Sequence, residues 1–318
     1  MSSIDLDQVF TWAAMRKGIV RFACAGTVAS AIGLAALPSS AAEPDGSKIA
    51  AALGKSGTAM PGGVYRVGLP RTDLHVTIDG VELKAGFALG SWLAFQADGN
   101  ATMVMGDLVL TEAEIAPVMT KLAEGGIDIT ALHNHLLRAQ PATFYMHVLG
   151  HGDAVTLATA LHEGLLLSKT PLGDAGAGAS AGTPPPSIDL DTAMIDSTLG
   201  AKGRVAGGVY QFGIARAGTI KDGGMEVPVA MGSGEAINFQ PTCSGKAAIT
   251  GDLVLTAAEV NPVLRALRQN GIEVTALHNH MLDDQPRLFF MHFWANDDAQ
   301  KLAKGLRAAL DKINIVRS

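Results

Sequence analysis

Cysteine is almost absent from this 318-residue chain: there are two, Cys24 and Cys243. Cys24 lies in the apolar N-terminal stretch, so the remainder of the chain has one thiol and no intramolecular disulfide. Aromatic residues make up 5% and charged residues 17%, while apolar residues reach 48%; a chain this apolar buries a core rather than remaining disordered. No excess of positive charge is present: the formal net charge is −6, which argues against a nucleic-acid partner. Also missing are a phosphate-loop lysine, a dinucleotide fingerprint or a Gly-x-Ser-x-Gly elbow in strand-to-helix context, and a His-Glu-x-x-His helix. The one Gly-x-Ser-x-Gly string, Gly178 to Gly182, falls in a Gly/Ala/Pro-rich stretch. These absences leave nucleotide binding, serine hydrolysis and helix-borne zinc proteolysis without sequence support.

The N-terminus reads as an export signal. Arg16, Lys17 and Arg21 open a basic segment, residues 22–37 are uncharged and mostly apolar, and Ser40 and Ala42 are the small residues before a cut at Glu43. The segment before Met15 carries two aspartates and suits a signal poorly, so Met15 is the expected start. The apolar run is short for a membrane span; the alternative is a single N-terminal anchor. The expectation is a periplasmic or secreted protein, cleaved near Ala42 and without a stable membrane span in the mature chain.

What the sequence has in plenty is self-similarity. Leu-His-Asn-His occurs at Leu132 and again at Leu277, and a third histidine follows twelve residues after the second one of each motif. The triplets His133, His135, His147 and His278, His280, His292 are offset by 145 positions. The same offset relates Gly106-Asp107-Leu108-Val109-Leu110-Thr111 to Gly251-Asp252-Leu253-Val254-Leu255-Thr256, and 25 of the 42 positions from Gly106 to His147 are identical in the second copy. Residues 169–187, rich in Gly, Ala and Pro, cannot pack a core and divide the chain as a linker. The expected domains are an N-terminal extension and signal at 1–42, a first module at 43–168, the linker, and a second module at 188–318.

Each module is expected to be α+β: a mostly antiparallel sheet with β-hairpins and two or three packing helices. Short helices at 47–53 and 190–199 end at Gly54 and Gly200, the C-cap glycines. Asp79-Gly80 between β-branched runs marks one hairpin, and Asp98-Gly99-Asn100 a second, joining 87–96 to 101–110. Thr111 with Glu114, and Thr256 with Glu259, match the capping box; Pro117 and Pro262 then imply a kink or a later helix start. A strand at 127–137, a turn at Ala139-Gln140-Pro141, a strand at 143–148 and a helix at 153–166 complete the first unit, and a helix at 298–310 ends the second.

Residues two apart on a strand share a face, so His133 and His135 point together, as do His278 and His280. A hairpin register pairing residues whose numbers sum to 280 places His147 opposite His133; a sum of 570 does the same for His292 and His278. Three converging imidazoles suit a divalent zinc, iron or copper ion with an open position, supporting hydrolytic or oxidative chemistry. Asp107 and Asp252, read as strand-start residues, are the candidate bases, and the alternative is an aspartate bonded to its own backbone. Arg71 and Arg216 recur too, and an ion pair at a turn is the favoured reading over an anion site. Phe144-Tyr145 and Phe289-Phe290 read as core. The competing reading of the whole is a non-enzymatic envelope module with structural histidines, binding a small molecule or an envelope component. A metal-free phosphoester hydrolase built on the paired histidines lacks the His-x-Thr or His-x-Ser pattern at any of the six repeated histidines.

The repeated Gly-Asp-Leu-Val-Leu-Thr, Gly-Ile-(Asp/Glu)-(Ile/Val)-Thr-Ala-Leu-His-Asn-His and Gln-Pro…Met-His segments resemble the LppY/LpqO lipoprotein-like family, across both modules. The resemblance implies a duplicated domain of unknown function in exported proteins and supplies no catalytic residues. Cys24, preceded by Arg21-Phe22-Ala23, departs from a lipid-attachment context, which favours soluble export.

Overall fold

The computed structural model describes residues 43–173 and 187–317; the segment expected to be a signal and most of the expected linker lie outside them. The first module runs α1 (Gly46–Leu53), β1 (Thr58–Met60), β2 (Val64–Pro70), β3 (Thr77–Ile78), β4 (Val81–Glu82), α2 (Ala85–Ala88), β5 (Gly90–Asp98), β6 (Ala101–Thr111), α3 (Glu112–Glu124), β7 (Asp128–His133), β8 (Thr143–Gly152) and α4 (Ala154–Leu165). The second runs α5 (Thr192–Leu199), β9 (Arg204–Ala206), β10 (Val209–Ile214), β11 (Lys221–Asp222), β12 (Met225–Glu226), a 3₁₀ turn at Val229–Met231, β13 (Glu235–Pro241), β14 (Lys246–Thr256), α6 (Ala257–Gln269), β15 (Glu273–His278), β16 (Asp284–Gln285), β17 (Leu288–Asp298) and α7 (Ala299–Leu310).

Each module builds one six-stranded antiparallel sheet, in the orders β1-β2-β5-β6-β8-β7 and β15-β17-β14-β13-β10-β9. The α+β fold with tandem modules is therefore as the sequence leads one to expect. Both capping boxes form, and α3 starts at Glu112 despite Pro117, which rules out a later helix start. Gly54 and Gly200 take φ of 74° and 68°, the left-handed C-cap conformation that a β-carbon disfavours. Residues 169–173, sequence-assigned to the linker, stay on the first module: Lys169 N–H donates to Glu114 Oε1 at 2.8 Å, and Gly173 N–H to Gly54 O at 3.1 Å.

Alternation along the central strands sorts two cores. Val104, Leu108 and Leu110 of β6 and Met146 and Val148 of β8 pack against α1, α3 and α4. Met103, Met105 and Val109 face the other way, as do Tyr145 and Leu149, and they join residues of the second module such as Val254, Phe290 and Trp294. The second sheet repeats this, with Ile249, Leu253, Leu255, Met291 and Phe293 turned toward α5, α6 and α7. The layers are helices, sheet, sheet, helices, and the two modules share one compact unit. Because both faces of β6 are covered, its apolar run is nearly unbroken, unlike an antiparallel strand with one wet face.

Arg71 is fully buried, donating to Glu114, to Asp73 and to the Val109 carbonyl. Arg216 repeats the arrangement with Glu259 and Val254 O. Both arginines are thus structural ion pairs, and each ties a sheet to its capping-box helix.

Candidate metal centre

Asp107 stands in the middle of β6, directly opposite His147 on β8, and Asp252 stands opposite His292 in the same way. The strand-start placement read from the sequence is corrected: these are mid-strand aspartates on the face turned to the other module. Their backbone groups are taken by the sheet ladder, and Asp107 Oδ1 and Asp252 Oδ1 have no hydrogen-bond partner. The aspartate bonded to its own backbone is therefore not what forms.

The hairpin register also differs from expectation. His133 pairs with Tyr145 and Ala131 with His147, two residues away from the sum of 280; His278 pairs with Phe290 and Ala276 with His292, two away from 570. A shift of two preserves the face, so the imidazoles still converge, diagonally rather than directly opposed. The decisive feature is a β-bulge, between Ile129 and Ala131 in β7 and between Val274 and Ala276 in β15. Ile129 and Val274 pack on the helix side. Without the extra residue, His133 and His278 would point there too; the bulge turns them to the inter-module face.

β7 ends at His133, so His135 lies beyond the strand, not within the expected strand at 127–137. The central asparagine of each motif holds this turn: Asn134 Nδ2 donates to Thr143 O at 3.2 Å and Asn279 Nδ2 to Leu288 O at 3.3 Å. Both Gln-Pro bonds of the following loops are cis. Thr275, the bulge residue of the second module, donates its hydroxyl to the His135 carbonyl of the first at 2.5 Å.

The two triplets form a single cluster. His133 stacks on His278 with centroids 3.4 Å apart, His135 on His292 at 3.7 Å, and His147 on His280 at 3.7 Å. Adding 145 to one partner and subtracting it from the other converts the second contact into the third, which is the signature of a pseudo-twofold axis. Tyr145 stacks on His135 at 3.4 Å and Phe290 on His280 at 3.6 Å, so these ring pairs wall the cluster as well as filling the core. The sequence offered no signal for that role, because an aromatic residue on a buried strand looks the same in either case.

Hydrogen bonding fixes three rings. His133 Nδ1 faces Asn134 O at 3.3 Å, His278 Nδ1 faces Asn279 O at 3.1 Å, and His292 Nδ1 faces Gly251 O at 3.0 Å. A carbonyl only accepts, so in the neutral rings Nδ1 carries the proton and Nε2 keeps its lone pair. His133 Nε2 lies 3.0 Å from His147 Nε2. Among the described residues, twelve buried side-chain polar atoms lack a partner, and six of them are here: Asp107 Oδ1, Asp252 Oδ1 and the Nε2 atoms of His135, His278, His280 and His292. Buried polar atoms are normally paired, so this concentration marks a place built for a further group.

Two sets have ligand atoms within 4.8 Å of one another and could hold a metal ion: His133, His278, His280 and His292, and His133, His135 and His147. The aspartates flank them, Asp107 at 3.9 Å from His135 and 3.8 Å from His147, Asp252 at 3.8 Å from both His280 and His292. Burial raises Asp107 to about 8, against the pull of the Arg66 charge. Burial and the Asp107 charge raise Asp252 as well. Desolvation lowers every one of the six histidines, His133 to about 3 with repulsion from His278 and His278 to about 4. Neutral imidazoles with bare lone pairs are the form that binds a cation.

The fold and the cluster define a duplicated α+β protein with one histidine centre shared by its two copies. The chain belongs to the family described as Domain of Unknown Function (DUF1259), whose model matches residues 47–166 and again residues 193–312. A comparison with curated proteins gives no match. Among solved structures, the chain is similar to a trimeric bacterial microcompartment shell protein, PduB, with 12% identity over 82% of this chain and 96% of that one, at a TM-score of 0.21. It is similar to EtuB from Clostridium kluyveri, with 10% identity over 81% and 89%, at a TM-score of 0.19. It is also similar to the ethanolamine utilization protein EutL from Leptotrichia buccalis C-1013-b, with 8% identity over 69% and 81%, at a TM-score of 0.17. Likenesses at these scores carry no argument about fold or function.

Proposed function

We propose that His133, His135, His147, His278, His280 and His292 bind divalent metal (zinc, iron or copper) at the junction of the two modules. The observation that carries this reading is the set of six imidazoles drawn from both copies, four of whose Nε2 atoms, on His135, His278, His280 and His292, are buried without a partner. A bound ion would supply Lewis acidity and a nucleophilic water, which suits hydrolytic or oxidative chemistry on a small molecule. Asp107 and Asp252, both raised by burial, are the proton acceptors of the proposal, each within 4 Å of two histidines. The reading includes module limits at 43–168 and 188–318, and the export signal ending near Ala42 with a periplasmic or secreted location. It also includes kinship with the LppY/LpqO-like proteins, whose segments the chain resembles. No helix among the described residues is long and apolar enough to cross a membrane.

Elemental analysis of protein purified without an affinity tag tests the proposal. Metal near one equivalent per chain or above is expected; less than about a tenth of an equivalent, with no binding of zinc, copper or iron on titration, overturns it. The packing of His135 on Tyr145 and His280 on Phe290 favours a second reading, a non-enzymatic envelope module with structural histidines. The double variant His278→Ala with His280→Ala separates them: loss of metal with the fold intact supports the centre, and loss of the fold supports the structural role.

A further inference from the structure

A cleft of about 720 Å³ opens between the two sheets and reaches the histidine centre, with Asp107, Asp252 and His135 in its lining. That is the size of a small-molecule site. Phe87, Trp92, Tyr145 and Phe212 contribute apolar wall, and three cations, Arg66, Lys202 and Arg204, also line it. Its only carboxylates are the two aspartates of the centre. Lys202 is neutralised by Asp196 at 2.7 Å. Arg66 and Arg204 have no carboxylate in ion-pair contact among the described residues. Arg66 is half-buried, lies 4.0 Å from the centroid of the Trp92 ring and donates one N–H to the Ala230 carbonyl. This leaves most of a planar donor fork unused. Burial lowers Arg66 to about 10, the Asp107 charge opposes that shift, and the Arg204 charge is near enough to add to it. Two like charges facing one cleft, neither in ion-pair contact with a carboxylate, repel each other, and an anion placed between them relieves that cost.

The duplication sharpens the point. Positions 107, 133, 135 and 147 keep their residues in the second copy, but Arg66 corresponds to Gln211 and Arg204 to Ala59. Gln211 also lines the cleft, yet its amide is engaged with the Gly86 carbonyl at 2.7 Å. The centre is symmetric in kind, but the residues equivalent to its two entrance arginines carry no charge.

We infer that this cleft seats the oxyanion group of a small ligand, a carboxylate or a phosphate, on Arg66 and Arg204, leaving the rest of the molecule to extend toward the histidine centre. The inference rests on the metal reading for what happens at the inner end, but the anion seat is measurable without it. Calorimetric titration of the full chain with inorganic phosphate and with succinate, at fixed ionic strength, tests it in zinc-loaded and in chelator-treated protein. Binding of at least one of the two is expected, and the stronger one identifies the oxyanion class. Arg66→Gln and Arg204→Gln should each weaken it about tenfold or more, as loss of a charge-assisted contact does. Arg265→Gln, an equal charge change on the outer surface of α6, should leave it unchanged. If Arg66→Gln fails to fold, Arg204→Gln, on the exposed edge strand, still decides. Absence of binding at millimolar concentrations of both probes, or equal affinity in the Arg204→Gln variant, overturns the inference. Arginine-dependent binding in protein that takes up no metal would sustain the anion seat while refuting the metal proposal; metal uptake with arginine-independent binding would do the reverse.

Discussion

The imidazoles of His133 and His278, 145 residues apart in the chain, lie face to face with centroids 3.4 Å apart and planes inclined by 27°. They are equivalent residues of the two copies, and each has Nδ1 turned to the carbonyl of the asparagine that follows it. A contact between equivalent residues places them at the pseudo-twofold axis; the set of His133, His278, His280 and His292 draws on both modules, whereas His133, His135 and His147 all come from the first.

His133 belongs to both candidate ligand sets, whereas His135 and His147 belong to one. Replacement of His133 by Ala is therefore expected to reduce bound metal at both, and His135→Ala to spare the set of His133, His278, His280 and His292. Elemental analysis after dialysis at equal protein concentration measures this. Identical losses in the two variants would contradict the shared role of His133.

Acid should unfold the metal-free protein steeply. Each of the six histidines is lowered in the fold and regains its ordinary value near 6.5 on unfolding, so the unfolded chain binds more protons below that pH. Stability is thus lost as pH falls from about 6.5 toward 4, by up to about 1.4 kcal/mol per pH unit for each histidine. Asp107, Asp252 and Glu235 are raised by burial and act in the opposite sense, binding protons in the fold that the unfolded chain releases above about 4. Six histidines outweigh three acids on the acid side, and the acids dominate as pH rises toward 8. Urea unfolding across this range should show a maximum near about pH 6.5. A stability that stays flat from 4.5 to 6.5, on the order of the denaturation error, would refute this account of the cluster.

Arg71→Gln should destabilise the first module by about 3–5 kcal/mol, because Glu114 is left with its charge partly buried and unpaired. Arg71 and the backbone N–H groups of Thr111 and Lys169 hold Glu114 below its ordinary value. Its contribution is present above the unfolded value near 4.5 and fades as pH falls through the lower folded one. The urea midpoint of the variant should therefore differ most from the parent at neutral pH. An equal difference at pH 3 would show that the ion pair is not the cause.

The elements were legible in the chain because their signals are local. Asp45 and Asp153 cap helices, Gly54 and Gly200 end them, and the capping boxes at Thr111 and Thr256 open α3 and α6, all through contacts within four residues. Strand parity likewise put His133 and His135 together, and the expected hairpin register set His147 beside them. The exact pairing was not legible: a bulge at Thr130 leaves no mark in the hydrophobic alternation that distinguishes it from a regular strand, and it shifts the register by one between Ile129↔Val148 and Ala131↔His147. The expected strand at 101–110 matches β6 and already holds Asp107 in its interior; the strand-start reading came from the repeated Gly-Asp-Leu-Val-Leu block taken by itself.

The sequence by itself determined that a module was duplicated and that each copy is α+β. Tertiary structure alone decided that the two triplets meet, that Asp107 and Asp252 flank them, and that Arg66 and Arg204 stand at the entrance. Periodicity reports only which way a side chain leaves its own backbone. Which surface covers that face is set by the packing of one whole sheet on another, and no window of neighbouring residues contains that information.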